Sequence, residues 1–127
     1  MAIEEELVDV LTGDAGVAGI VAARVYPLVL PQNPTLPAIV YQEVRGLARA
    51  AADGDTGQRE SRFLLSWWAS SFSAIKVGKG LLLGLLSGYS GGSIERIEVD
   101  GIRDDYDPET ARFRQLLEIL VYWTDES

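Results

Sequence analysis

Between residues 111 and 124 the chain alternates without a break. Phe113, Gln115, Leu117, Ile119, Val121 and Trp123 fall on one side of an extended backbone, and Arg112, Arg114, Leu116, Glu118, Leu120 and Tyr122 on the other. Strand side chains point to opposite faces in turn, so a period of two held over this length predicts one long strand. Residues 58–69 offer it a neighbour: Phe63, Leu65, Trp67 and Ala69 alternate with Arg62, Leu64, Ser66 and Trp68. Both faces are substantially apolar in the middle of this run, which predicts a central strand covered on both sides. Trp67 and Trp68 would then place one indole on each face, either as core or as subunit contact.

Three further extended segments complete the sheet. Residues 38–45 put Ile39, Tyr41 and Glu43 opposite Val40, Gln42 and Val44, and read as the hairpin partner of 58–69. The Ala-rich stretch 46–57, ending in Asp53-Gly54-Asp55-Thr56-Gly57, reads as a long hairpin tip. Residues 94–102 set Glu95, Ile97 and Val99 against Ile94, Arg96 and Glu98, a half-polar pattern suited to an outer strand, with a turn at 104–108. Residues 24–30 favour strand, but Pro27 lacks an N–H, so an edge strand or irregular segment is expected. Three prolines between 31 and 37 then impose an ordered, extended loop.

Two main helices are expected to pack against this sheet. In the first, Ile3, Leu7, Val10 and Leu11 form a stripe, and Glu4, Glu5 and Glu6 lie at the positive end of the dipole. Asp14 is placed to cap a short second turn through Val17, Ile20 and Val21. The other main helix opens after Ser70 and Ser71 and carries Phe72, Ile75, Lys79, Leu82 and Leu86 on its packing stripe. Gly78, Gly80 and Gly84 lower its intrinsic stability, which predicts a close approach to the sheet or to a neighbour. The expected fold is α+β in the order α-β-β-β-α-β-β, a mainly antiparallel sheet within one domain spanning 1–127.

Composition then narrows the function. The chain has no His and no Cys, so triads, thiol nucleophiles and the common zinc sites are outside its means. A net charge of -8 opposes sequence-independent binding to duplex DNA. No apolar run approaches the roughly 18 residues of a membrane span, and Glu4 to Glu6 stand where an export signal carries positive charge. Gly78-Lys79-Gly80 lacks the upstream Gly and following Ser or Thr of a phosphate loop. Asp53-Gly54-Asp55 lacks the later Gly and Glu of a calcium loop. Asp104, Asp105 and Asp107 read as an acidic turn, so neither metal nor cofactor nor catalytic residue is assigned. The charged residues Arg45, Arg49, Asp53, Asp55, Arg59, Arg62, Asp104, Asp105 and Arg112 are the candidate contacts with other subunits.

The order of these pieces resembles the phage tail-completion family, also described as tail-to-head joining or tail-terminator-like proteins. The likeness runs through Tyr26 and Pro27, Pro37 and Tyr41, the strand holding Trp67, the turn Tyr106 to Pro108, and the last strand with Trp123. It implies a structural virion protein, not an enzyme, that forms a hexameric ring at the head-proximal end of a tail. Its implied partners are other copies of itself, the tail tube protein and the head-tail connector, with DNA only as passing cargo and no membrane. If six copies close a ring, charges of -8 sum to -48, and an acidic lumen would let DNA pass. Head-completion or minor tail protein, and soluble assembly chaperone or binding module, are the alternative readings.

Overall fold

The computed structural model describes residues 3–51 and 54–125, with side chains described outside 47–56. Helices α1 (Ile3–Gly13), α2 (Ala15–Val21) and α3 (Phe72–Leu86) accompany strands β1 (Val25–Pro27), β2 (Ala38–Ala51), β3 (Gly54–Ala69), β4 (Ile94–Asp107) and β5 (Arg112–Thr124). The described strands form a sheet in the order β1-β2-β3-β5-β4. All neighbours are antiparallel except β1 and β2. The fold class is thus α+β, as the alternation and helical stripes predict, with the capped turn after Asp14 developed into a helix of its own.

Local chemistry explains the element boundaries. Asp14 accepts the Val17 N–H at 3.0 Å and opens α2, while Ser71 accepts the Ala74 N–H at 3.2 Å and opens α3. Arg24 closes α2 and ties it to the proline-rich loop. Its Nη2 donates to the Ile20 carbonyl at 2.7 Å and its Nε to the Pro37 carbonyl at 3.0 Å. The Arg24 carbonyl in turn accepts the Ile39 N–H at 2.9 Å, so β2 leaves the loop already paired.

The helices occupy one face of the sheet. Ile3, Leu7 and Leu11 of α1, Val17 and Val21 of α2, and Ile75, Leu82 and Leu86 of α3 form one buried cluster with Ile39, Phe63, Leu65, Trp67, Leu117, Ile119 and Val121. This corrects the expectation of cover on both sides. On the opposite face Leu64 and Trp68 are half-buried, and Leu116 is buried without any helix above it. Arginine side chains do the covering there: Arg114 lies over the Trp68 ring at 4.8 Å and Arg96 over Tyr122 at 4.4 Å.

Three further differences have local causes. The β2–β3 ladder continues to Ala51 and Gly54, so the segment read as a long tip belongs to β2 and β3 as far as it is described, residues 52 and 53 lying outside the described residues. A bulge between Ile94 and Arg96 returns Ile94 to the helix-covered face beside Ile97 and Val99. Pairing also carries β4 through Asp107, so the acidic residues from 104 to 107 lie in a strand. The turn follows them, with the Asp107 carboxylate accepting the Glu109 N–H at 3.1 Å and the Thr110 hydroxyl at 2.9 Å.

Two contacts distant in sequence lock the layers. Gly78 is buried with its Cα against the Trp67 indole, where a methyl would overlap the ring. Gly80 and Gly84 face open space, so only the first of the three glycines serves a close approach. Glu6 of α1 reaches the start of β4, accepting the Ser93 N–H at 2.8 Å and the Ser93 hydroxyl. Gly92, at a φ of 55°, leaves room for that carboxylate.

Opposite outcomes are therefore expected within one helix. Gly78→Ala should destabilise by about 1–3 kcal/mol through overpacking, whereas Gly84→Ala should stabilise by about 0.5–1 kcal/mol. Urea denaturation midpoints measure both, and equal shifts of the same sign would contradict the Trp67 contact. Glu6→Ala should cost about 1–2 kcal/mol through its lost charged hydrogen bonds and should speed hydrogen exchange at the start of β4.

Candidate functional site

The sheet divides the charged residues singled out from the sequence into two groups. Arg45 lies on β2 opposite Arg62 of β3, and Arg59 pairs with Trp123 near the end of β5. Asp104, Asp105 and Arg112 sit at the other end, beside Gln115, Arg114 and Asp107. Residues 112 and 123 of β5 are roughly 36 Å apart at about 3.3 Å per residue, so these charges do not form one patch. Asp53 and the side chains of Arg49 and Asp55 lie outside the described residues.

Most of the described charges are engaged within the chain. Arg62 bridges Asp100 and Glu118 through Nη1, at 2.7 and 2.6 Å. The hydrogen bonds it donates to the Asp100 and Glu118 carboxylates raise the pKa of its guanidinium. Lys76 donates to both oxygens of Asp104 at 2.8 and 2.7 Å, and that bond holds the Asp104 carboxyl below its ordinary range. Arg114 does the same for Asp105 while it covers Trp68. Arg59 approaches Asp125 at 4.0 Å. Arg45 and Arg112 make no ion pair among the described residues.

This arrangement bears on chemistry as well as contact. Asp104 and Asp105 occupy successive positions of a strand and so face opposite sides of the sheet, each beside its own cation. They do not converge on a common point, as a hydrolytic carboxylate pair must. Lys79 of the Gly78-Lys79-Gly80 sequence rides on α3, whose preceding Gly78 is filled by Trp67. A cleft of about 310 Å³ lies on the helix-free face. Leu28, Val29, Leu30, Val40, Trp68 and Arg112 are among the residues that line it.

The positions carrying the family resemblance serve the scaffold. Tyr26 and Pro27 pair with Val40 and Tyr41, and Pro37 receives the Arg24 bond. Trp67 is the largest fully buried side chain, and Trp123 donates its Nε1 hydrogen to Ser61 at 3.0 Å. Tyr106 is instead exposed and leans on Phe113 with ring centroids 4.8 Å apart. Phe72, expected on the packing stripe of α3, is also exposed and meets Phe113 edge-on at 6.4 Å. The sequence reading missed this aromatic group, whose members are far apart in the chain. The extension of β4 through Tyr106 is what brings them together.

The fold itself is shared with a chain of a virion. A chain from the virion of a native gene transfer agent particle superposes with a TM-score of 0.65 at 20% identity, covering 91% of this chain and 90% of that one. That likeness establishes the architecture. No curated protein gives a significant match. The family model for Tail completion protein gp17 matches residues 5–123, and the chain belongs to that family. It is a structural protein of the phage tail.

The ion pairs predict an acid limb in stability. A carboxylate whose pKa is lowered by folding contributes fully above its unfolded value, about 3.9 for Asp, and loses that contribution as pH falls through the folded value. The melting-temperature gap between the native chain and Asp105→Asn should therefore be largest above pH about 5 and close toward pH 2. A gap that widens on acidification would contradict the Arg114–Asp105 pairing.

Proposed function

We propose that this chain forms a ring at the head-proximal end of the tail, ends the tail tube there, and joins it to the head connector. The observation that carries this reading is the family match across residues 5–123, nearly the whole chain. The site chemistry agrees with it. The prominent ionic groups neutralise one another within the chain, and their geometry suits a rigid building block better than proton transfer to a substrate.

The implied partners are other copies of the chain, six in a closed ring, with the tube protein on one side and connector proteins on the other. DNA crosses the ring as cargo. Six chains bring a summed charge of -48, and a lumen of that sign would repel phosphate and keep the passage free of adhesion.

Removal of the gene should leave filled heads and separate tails, with tube length no longer uniform. Electron microscopy of lysates reads both features, and the intact gene supplied in trans should restore joined particles. Joined particles with tails of normal length in its absence would overturn the proposal. Defective joining with the protein missing from purified particles would point instead to an assembly chaperone.

A further inference from the structure

We infer that the two flanks of the sheet are the two halves of one head-to-tail interface between copies of this chain. The inference deepens the ring reading and rests on it. One flank is the segment after β1, where Leu28 and Val29 are 66% and 72% exposed, the most exposed of the large apolar side chains described. The other is the free edge of β4, where Ile102 and Tyr106 are exposed beside Phe72 and Val77 of α3.

Three observations connect these flanks. The first is their level on the sheet. The Leu28 N–H donates to the Tyr41 carbonyl at 2.9 Å, Tyr41 pairs with Leu65, Leu65 with Leu117, and Leu117 with Ile102. Leu28 and Ile102 therefore end the same row, on opposite sides of five strands. The second is polarity. Because β1 runs parallel to β2 and each later neighbour is antiparallel, β1 and β4 run in opposite directions. Laid side by side, β4 of one copy and the β1 flank of the next are antiparallel. The third is openness. Bulges between Ile94 and Arg96 and between Val99 and Gly101 interrupt the start of β4, as edge strands commonly are, but its pairing from Gly101 to Asp107 is unbroken.

A second copy satisfies both flanks together. A different partner on either flank would leave the other apolar edge in water, whereas a heterologous contact repeated by rotation covers every flank once the ring closes. The contact sets Leu28 of one copy against Ile102 of the next, while Tyr106 lies four residues further along β4, held with Phe72 by Phe113. The charged residues at the two ends of the strands are then left to meet the layers above and below the ring.

The absence of native cysteine makes the test clean. Particles assembled with the doubly substituted chain Leu28→Cys, Ile102→Cys are treated with a short bis-maleimide, which tolerates a register shift of one or two residues. The expected result on a denaturing gel is a ladder of multimers holding most of this chain. Particles with either single substitution should give no ladder. The pair Pro27→Cys, Arg103→Cys, both exposed and neighbours in the same antiparallel register, provides an independent repeat should the first pair lower the yield of protein. Normal incorporation of both double variants with only monomer on the gel would overturn the interface while leaving the ring reading intact. A cross-linked dimer from Leu28→Cys alone would overturn it in favour of a two-fold contact. Native protein that is absent from the particles would overturn both readings.

Discussion

The contact on which the architecture turns is the one between Trp67 and Gly78. Trp67 lies on β3, which is flanked by β2 and β5 in the middle of the sheet, and its indole fills the space that any side chain at position 78 would need. That approach seats α3, the longest helix, on β3 and β5, and α2 packs on α3 in turn through Gly16 against Leu81. The Glu6–Ser93 bonds fasten the outermost helix to the beginning of β4. The whole helical layer is thereby committed to one face. The opposite face and the edge strand β4 are left to side-chain cover and to bulges.

That asymmetry is also where sequence and structure part company. The period-two runs at 58–69 and 111–124 identify β3 and β5 and assign their faces correctly, because alternation is a local property. Whether an apolar face lies under a helix or under arginine stems is not local. Leu64, Trp68 and Leu116 read like residues below a helix, yet Arg114 and the 28–30 segment are what lie near them. Bulges escape for a similar reason: one extra residue before Arg96 changes the side to which Ile94 points, and no composition marks it. Gly78, Gly80 and Gly84 are the same letter in one helix, and only the partner across the gap separates them.

The candidate site was legible in part. The residues named for surface contact are charged as expected, but charge does not reveal engagement, and Arg62, Asp104 and Asp105 prove to be held by partners within the chain. The exposed apolar residues Leu28, Val29, Tyr106 and Phe72 carry more information about contact, and they become visible only once the sheet order is known. A subunit built this way is rigid at its centre and unfinished at its flanks.

The central claim concerns position in the particle, and a cryo-electron microscopy reconstruction of the head-tail junction tests it directly. The account predicts one closed ring of this chain between the last layer of the tube and the connector, with the β1 flank of each copy against β4 of the next. Density for the chain at the distal tip, or repeated along the tube, would contradict it.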